Sequence, residues 1–175
     1  MNAADLRSLI REIPDFPQPG ISFKDITPLL VDPAALNCAV SELATFAREL
    51  QIDLVVAAEA RGFILGAALA RELGAGFVPA RKPGRLPSET VSVEYALEYG
   101  IDVLEVHADA FADGARVLVH DDLLATGGTA RGVCDLVAGL GAQIAGCAFL
   151  IELSFLGGRQ RLAPYPVHAV LDYAS

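Results

Sequence analysis

The sequence is poor in several residue types that mark particular classes of protein. It has no tryptophan, one methionine and three cysteines, and it contains no run of about 18 uncharged apolar residues. We therefore expect no membrane-spanning helix, and the first residues lack the basic and then apolar pattern of a signal peptide. Cys38, Cys134 and Cys147 do not have the spacing of a metal site. They are predicted to be small buried thiols of a cytoplasmic protein, because disulfides are rare in reducing compartments.

Positive charge is also scarce. The chain has 13 Lys and Arg residues against 22 Asp and Glu residues, so its formal net charge is −9. This balance argues against a broad contact with nucleic acid, which depends on Lys and Arg. The only lysines in the sequence are Lys24 and Lys82, and Lys82 lies with Arg81 and Arg85 in a cluster of three cations. A solvated loop is the ordinary explanation, although such a cluster also suits a small anionic ligand.

The apolar pattern predicts an α/β fold. The 175 residues are enough for one domain with its own hydrophobic core. Continuous apolar runs are typical of strands buried on both faces of a parallel sheet, and they occur at 54–58, 77–80, 116–120, 144–150 and 167–171. Helical spacing or capping signals predict helices at 4–12, 33–50, 63–73 and 133–140. Two strand–helix–strand units imply a mostly parallel, doubly wound sheet, and the loose alternation of 90–106 indicates an antiparallel hairpin.

The segment with the clearest chemistry follows the strand at 116–120. Residues 121–129 (DDLLATGGT) are predicted to form a loop between that strand and the next helix. Gly127 and Gly128 allow the backbone to approach an anion, and the start of a helix attracts negative charge. Asp121 and Asp122 suit the hydroxyl groups of a ribose, which donate hydrogen bonds. Neither the nucleoside-triphosphate loop nor the dinucleotide fingerprint fits this spacing.

Together with the preceding apolar strand, this segment resembles the phosphoribosyl pyrophosphate motif of the type I phosphoribosyltransferases. The amino-acid sequence of this motif is similar to that of the adenine-specific members of the family. The likeness extends over most of the chain and is found, in the same order, in residues 14–20, 23–28, 59–63, 81–87 and 97–100. The resemblance implies a purine-salvage enzyme that converts adenine and phosphoribosyl pyrophosphate into AMP and pyrophosphate.

The resemblance also implies roles for individual residues. The 5-phosphate is expected at Ala125, Thr126, Gly127, Gly128 and Thr129, and the ribose hydroxyls at Asp121 and Asp122. Pyrophosphate is expected to contact two loops, which contribute Glu59, Ala60, Arg61, Arg81, Lys82 and Arg85. Tyr99, in the hairpin, is expected to position the pyrophosphate or the base. A cis peptide bond next to Ala60 is a feature of the family and is expected here. An ion pair between Arg61 and Glu59 is the structural alternative to a role of Arg61 in binding.

Adenine is expected to contact Ser22, Phe23 and Arg61, with the ring of Phe23 stacked on the base. Ser22 departs from the family, which usually has an aliphatic residue at this position. Residues 1–30 would form a hood and base-binding segment and residues 86–106 a flexible hairpin, all within a single domain of residues 1–175. Glu98 is the candidate proton carrier for the purine nitrogen, and a solvated hairpin carboxylate is an equally good interpretation of it.

The remaining expectations concern the metal, the assembly and one histidine. Mg²⁺ is expected to arrive with pyrophosphate, held mainly by substrate oxygens and water and not by a dedicated protein site. The cationic loop implies a homodimer, because in the family part of its charge reaches the neighbouring subunit. His120 stands where the family has an aliphatic residue, and it is predicted to be partly buried and paired with a carboxylate.

Two alternatives remain open from the sequence. The first is a transferase for another base, such as xanthine, hypoxanthine or orotate, because a few hydrogen bonds decide between bases. Residues 59–63 and 97–100 favour adenine by their resemblance to the family. The second is a regulator that senses phosphoribosyl pyrophosphate and binds nucleic acid. It would need a basic surface or an added module, and the sequence indicates neither.

Overall fold

The computed structural model describes residues 2–97 and 100–175, apart from the side chains of Ala96 and Leu97. The helices are α1 (Ala3–Ser8), α2 (Thr27–Leu30), α3 (Pro33–Arg48), α4 (Gly62–Leu73), α5 (Gly128–Gly139) and α6 (Gly158–Arg161). The strands are β1 (Arg11–Ile13), β2 (Phe23–Asp25), β3 (Leu54–Ala58), β4 (Gly76–Ala80), β5 (Thr90–Leu97), β6 (Gly100–His107), β7 (Arg116–Leu124), β8 (Gln143–Leu153) and β9 (Val167–Tyr173). None of the helices in this part of the chain is long and apolar enough to cross a membrane.

The central sheet has five parallel strands in the order β4-β3-β7-β8-β9. This confirms the predicted α/β class with a parallel sheet. Side chains of neighbouring strand residues point to opposite faces, so each strand contributes to two hydrophobic clusters. One cluster joins the sheet to α1, α3 and α4, and the other joins it to α5 and the β5–β6 hairpin. Helices therefore cover both faces, as in a doubly wound fold.

Several predicted boundaries are confirmed. The Asp32 carboxylate accepts hydrogen bonds from the amides of Ala34 and Ala35, and Pro33 occupies the first turn of α3. Gly74 ends α4 with a positive φ of 67°. Strands β5 and β6 form the predicted antiparallel hairpin, with Thr90 opposite His107.

Two predicted elements differ from the structure. The first helix ends at Ser8 rather than at residue 12, because Arg11–Ile13 pairs with Phe23–Asp25 in a small antiparallel sheet. The strand predicted to end at residue 120 continues to Leu124, because the adjacent β8 also continues and offers partners as far as Glu152. Asp121 and Asp122 therefore lie near the end of strand β7 and not in a loop.

Candidate active site

Two adjoining pockets lie beyond the carboxyl ends of β3 and β7, where ligands bind in open α/β sheets. The first pocket is lined by Ala58, Glu59, Ala60, Arg61, Lys82, Tyr95, Asp102, Leu104, Asp121, Asp122 and Thr129. The second is lined by Arg61 and by the continuous segment Asp121 to Ala130. Arg61, Asp121, Asp122 and Thr129 belong to both pockets, so these four residues form a shared wall.

The second pocket is built by the connection from β7 to α5. We call residues 125–129 the phosphate loop. Gly127 has a φ of 82°, which favours glycine, and α5 begins directly after it at Gly128. Because the N-cap residue Gly127 has no side chain, it offers no cap to the amides of the first turn. Free amides and the positive end of the helix dipole therefore face the pocket, an arrangement suited to a phosphate group.

The structure places the predicted phosphate and ribose residues together. Ala125, Thr126, Gly127, Gly128 and Thr129 line the second pocket with Asp121 and Asp122. The two carboxylates are close to each other, and Asp121 Oδ1 accepts a hydrogen bond of 2.9 Å from the amide of Asp122. Burial raises the pKa of Asp121 well above its ordinary value, and the neighbouring charge of Asp122 raises it further. Burial also raises the pKa of Asp122, although the Arg61 guanidinium opposes this shift.

Gly62, at the start of α4, packs directly against Asp121. A Cβ atom at Gly62 would lie 2.8 Å from Asp121 Oδ1, which is closer than real Cβ contacts. Glycine at this position therefore lets the beginning of α4 approach the end of β7. The peptide bond between Glu59 and Ala60 is cis, as predicted from the family resemblance.

Arg61 connects the shared wall to the predicted base-binding aromatic. Its Nε lies 3.1 Å from Asp122 Oδ2, and its guanidinium carbon lies 4.7 Å from the centre of the Phe23 ring. The alternative ion pair with Glu59 is wrong, because Glu59 pairs with Arg81 instead. In the described part of the chain, Arg61 Nη1 is a buried atom with no hydrogen-bond partner, whereas Asp122 Oδ2 is in the ion pair with Arg61 Nε. Arg61 Nη1 therefore has unused capacity to donate to a ligand at the shared wall.

The N-terminal segment brings Phe23 but not Ser22 to this region. Phe23 is half-buried, and its ring packs edge-on against Phe16 with a centroid distance of 5.1 Å. Ser22 is exposed, and neither Ser22 nor Phe23 lines the two pockets. The contact between Phe23 and Arg61 is therefore the link between this segment and the pockets.

The cationic residues 81–85 are held by carboxylates. Glu59 accepts a 2.9 Å hydrogen bond from Arg81 Nε and a 2.6 Å hydrogen bond from the amide of Lys82. Burial raises the pKa of Glu59, but these two hydrogen bonds and the charges of Arg81 and Arg85 together outweigh it, so the net shift is downward. Lys82 lines the first pocket, whereas Arg81 and the exposed Arg85 line neither pocket.

Two polar residues of the first pocket, Tyr95 and Asp102, were not predicted from the sequence. Tyr95 in β5 lies directly opposite Asp102 in β6, and its hydroxyl donates a 3.2 Å hydrogen bond to Asp102 Oδ2. Asp102 also forms an ion pair with Lys82. Burial raises the pKa of Tyr95 to about 12, so the phenol stays protonated as a donor. The cross-strand register could have suggested this pair, but only once the turn of the hairpin was known.

The prediction for His120 was wrong in both respects. The side chain is fully buried, and its Nδ1 lies 2.9 Å from the main-chain oxygen of Ala148 and not next to a carboxylate. Burial lowers its pKa to about 4, so the ring is neutral and Nδ1 donates to the carbonyl. Residues Glu98 and Tyr99, predicted as proton carrier and pyrophosphate contact, lie outside the described residues.

A dedicated metal cage is not visible in the described ranges, where no group of three or more His, Cys, Asp and Glu side chains could hold an ion. The carboxylates of the first pocket divide into two kinds. Glu59 and Asp102 are paired with Arg81 and Lys82. Asp121 and Asp122 belong to the shared wall, where Asp122 is paired with Arg61, and their carboxylates offer the hard oxygen atoms that Mg²⁺ prefers.

Comparisons with known proteins agree with this geometry. A family model described as a phosphoribosyl transferase domain matches residues 22–165. The chain is 57% identical over 169 residues to an adenine phosphoribosyltransferase of Rubrobacter xylanophilus, which covers 96% of this chain and 91% of that protein.

Solved structures show the same likeness. The crystal structure of adenine phosphoribosyltransferase from Thermoanaerobacter pseudethanolicus superposes with a TM-score of 0.96 at 50% identity, covering 98% of this chain and all of that one. The Saccharomyces cerevisiae enzyme, crystallised with adenine and an imino-altritol bisphosphate, gives a TM-score of 0.92 at 38% identity. That match covers 97% of this chain and 98% of the yeast chain.

Proposed function

This chain belongs to the adenine phosphoribosyltransferases of the phosphoribosyltransferase family, the purine-salvage enzymes that make AMP from adenine and phosphoribosyl pyrophosphate, and we propose how its pockets divide that reaction. The second pocket holds the 5-phosphate and the ribose, and the first holds the pyrophosphate. The observation that carries this division is the shared wall, because Arg61 contacts both Asp122 and the ring of Phe23. A base beside Phe23 would therefore lie next to a ribose on Asp122.

The ribose phosphate is bound by charge and hydrogen bonds of the second pocket. The 5-phosphate accepts hydrogen bonds from the amides of the phosphate loop and from the hydroxyls of Thr126 and Thr129. The ribose hydroxyls donate to Asp121 and Asp122. Support for this role comes from the position of the two carboxylates, which line the second pocket together with the phosphate loop.

Pyrophosphate occupies the first pocket, next to the main chain of Glu59 and Ala60. Lys82 lines this pocket and Arg61 closes its side toward the ribose. Tyr99 is proposed to contact pyrophosphate as well. Arg81 is held by Glu59, and Arg85 points into solvent. We propose that the positive charges of Arg81 and Arg85 help to neutralise pyrophosphate, both in this site and in the site of a second subunit in a homodimer.

Mg²⁺ fits this donor set. Asp121 and Asp122 are the carboxylates that would face the ion, because they line both pockets, whereas Glu59 and Asp102 line only the first. The ion would be held mainly by pyrophosphate oxygens and water, and it would neutralise part of the charge on the departing group.

Adenine stacks on Phe23 and contacts the main chain at Ser22, and Arg61 donates to the base through Nη1. In the displacement, the bond from the anomeric carbon to pyrophosphate breaks while the bond to the purine nitrogen forms. Positive charge grows on the ribose, next to the carboxylates of Asp121 and Asp122. Glu98 is proposed to take the proton that the purine nitrogen loses.

The chain is proposed to act as a single domain. Residues 1–30 serve as the base-binding hood and residues 86–106 as a cover over the substrates, which excludes water from the activated sugar carbon. A cytoplasmic location is supported by the buried Cys134 and Cys147, whose sulfur atoms are 3.8 Å apart and remain thiols.

Base selectivity tests the reaction directly. The purified protein is mixed with phosphoribosyl pyrophosphate, Mg²⁺ and, separately, adenine, hypoxanthine, guanine, xanthine or orotate, and nucleotide formation is followed. We expect AMP formation from adenine to dominate and to disappear when Mg²⁺ is removed. Turnover confined to another base would contradict the proposed base pocket.

The role of Phe23 is tested by Phe23→Ala. Stacking of an aromatic side chain on a base contributes about 1–3 kcal/mol, so the KM for adenine should rise roughly 5- to 150-fold. The KM for phosphoribosyl pyrophosphate should change much less, because its pocket does not include Phe23. Phe155→Ala is the matched control, since Phe155 is exposed and lines neither pocket. An unchanged adenine KM in Phe23→Ala would remove Phe23 from the base site.

A further inference from the structure

The back of the phosphate loop is in direct contact with a second glycine segment, far away in sequence. Gly157 and Gly158 precede and begin the short helix α6, and Gly158 is buried. A Cβ atom at Gly158 would lie 2.2 Å from the main-chain oxygen of Ala125 and 3.0 Å from the amide nitrogen of Gly127. In the opposite direction, a Cβ atom at Gly127 would lie 2.6 Å from the main-chain oxygen of Gly158. The two main chains therefore touch with no side chain between them.

The need for glycine has different causes at the three positions. Gly127 and Gly157 have φ values of 82° and 68°, which L side chains rarely adopt. Gly158 is not among the residues with positive φ, so its backbone conformation permits other residues. The contact with the phosphate loop is thus the constraint that the structure places on Gly158.

The segment that contains Gly158 is fixed from behind. Arg159 forms an ion pair with the buried Glu152 at the end of β8, with its Nε 3.1 Å from Glu152 Oε1. Its Nη1 also donates a 2.6 Å hydrogen bond to the main-chain oxygen of Val167. Because two strands of the sheet hold Arg159, the segment resists displacement away from the phosphate loop.

We propose that Gly158 is a positioning residue of this enzyme, whose bare main chain forms the back wall of the phosphate loop. It acts through Ala125 and Gly127 and does not itself touch substrate. The inference rests on the proposed binding of the 5-phosphate at residues 125–129. It adds that the geometry of this loop is set by the α6 segment as well as by β7 and α5.

The physical consequence follows from the space available. A side chain at position 158 forces the phosphate loop or the α6 segment to shift by roughly 1 Å, and a misplacement of that size can reduce catalysis about 100-fold. The loop is the part that gives way, because Arg159 holds the α6 segment. Binding of the phosphate should become weaker. Binding of adenine should change little, because the proposed contacts of Phe23 and Arg61 are formed by other elements.

The central experiment compares Gly158→Ala with two other glycine variants. Gly139→Ala changes a helical glycine with no atom within 4 Å of the added Cβ. Gly157→Ala strains the turn, but its Cβ would meet the end of the Gln160 side chain and not the phosphate loop. We measure the KM for phosphoribosyl pyrophosphate, the KM for adenine, the affinity for ribose 5-phosphate by calorimetry, and the Tm.

For Gly158→Ala we expect a KM for phosphoribosyl pyrophosphate at least 10-fold higher, with a matching loss of ribose 5-phosphate affinity and an adenine KM within twofold of the wild type. Gly139→Ala should retain all values. Gly157→Ala should lower the Tm and leave both KM values near those of the wild type. A Gly158→Ala protein that binds like the wild type overturns the proposal, as does an equal rise in KM for Gly157→Ala.

A milder pair of variants covers the case in which Gly158→Ala does not fold. Arg159→Lys keeps a positive charge near Glu152 but loses the planar guanidinium group that also donates to Val167. The α6 segment should then be held less firmly behind the phosphate loop. The KM of Arg159→Lys for phosphoribosyl pyrophosphate should rise about 3- to 10-fold, and Arg161→Lys, an exposed change on the same helix, should have no effect. Equal values for the two variants overturn the proposal. Failure of the wild type to form AMP would instead refute the proposed function.

Discussion

His120 shows at the residue scale how strand geometry decides the partner of a polar side chain. It precedes Asp121 in sequence, but adjacent side chains of a strand point to opposite faces of the sheet. His120 therefore faces α4, where Gly66 leaves room for the ring, and it donates to the main chain of β8. The sequence alone suggests a carboxylate partner because Asp121 follows His120 in the chain, but adjacent residues of a strand do not share a face of the sheet.

The buried ring gives a prediction for the pH dependence of stability. The pKa of His120 is about 4 in the folded protein against an ordinary 6.5, so between these values the unfolded chain binds the additional proton. The free energy of unfolding should thus fall as the pH falls from 6.5 toward 4, by about 3 kcal/mol from this group. Above pH 6.5 the contribution should be constant.

His120→Val isolates this contribution. Urea unfolding is measured for both proteins at several pH values, and the difference between their unfolding free energies is plotted against pH. Asp121 and Asp122 have raised pKa values and the opposite sign of effect, but they are present in both proteins and cancel in the difference. A difference that stays constant between pH 4 and 6.5 would show that His120 is not the titrating group.

At the element scale, the hairpin of β5 and β6 contributes part of the pocket wall. Tyr95 and Asp102 face each other across the hairpin, and Asp102 holds Lys82 from a different loop. In the absence of substrate, Asp102 thus neutralises the lysine proposed to bind pyrophosphate. The hydrogen bond from Lys82 lowers the pKa of Asp102, consistent with a carboxylate that stays charged.

Asp102→Asn should make pyrophosphate a better inhibitor. Partly exposed ion pairs contribute up to about 1 kcal/mol, so freeing Lys82 and removing one negative charge should lower the Ki of pyrophosphate roughly fivefold. Product inhibition is measured at saturating adenine. Glu94→Gln is the control, because Glu94 is an exposed carboxylate on the same hairpin that lines neither pocket. Weaker inhibition in Asp102→Asn than in the control would contradict a neutralising role.

The elements that the sequence predicted well share one property. β3, β8 and α4 are encoded by mainly apolar runs, and local sequence determines such elements. The β1–β2 sheet was missed because its strands have three residues each and pair across a proline-rich connection. The extension of β7 was missed because the pairing depends on the length of β8, which only the fold reveals. Residues 121–129 could be predicted as a site since the motif is contiguous, whereas Tyr95, Asp102 and Gly158 join it through tertiary contacts.

At the scale of the whole molecule, the two ends of the chain hold the base-binding segment together. The ring of Tyr173 in β9 contacts two cations: the guanidinium carbon of Arg7 is 4.3 Å from the ring centre, and Nζ of Lys24 is 4.6 Å from it. Arg7 also donates to the main-chain oxygen of Asp172. Lys24 is buried and follows Phe23 directly, so the position of Phe23 depends on the last strand of the sheet.

Tyr173→Leu should therefore impair adenine binding from a distance. The change keeps apolar bulk but removes the aromatic face, and two cation–π contacts are together worth about 1–2 kcal/mol. We expect the KM for adenine to rise roughly 5- to 30-fold with a nearly unchanged KM for phosphoribosyl pyrophosphate. Tyr165→Leu, a similar change against the other hydrophobic cluster, is the control. Equal effects of the two variants on adenine KM would indicate a general loss of stability instead.

The hairpin over the pockets is also part of the hydrophobic core. Tyr95, Leu104 and Val106 are buried in the same cluster as α5 and the central sheet. Lifting the hairpin as a rigid flap would expose Leu104 and Val106 to water, at a cost of roughly 1.5–3 kcal/mol for each side chain. That cost is a large fraction of the stability of an ordinary domain. Substrates must consequently enter and leave while the base of the hairpin stays in place, so the width of the entrance is fixed by the same contacts that keep the protein folded.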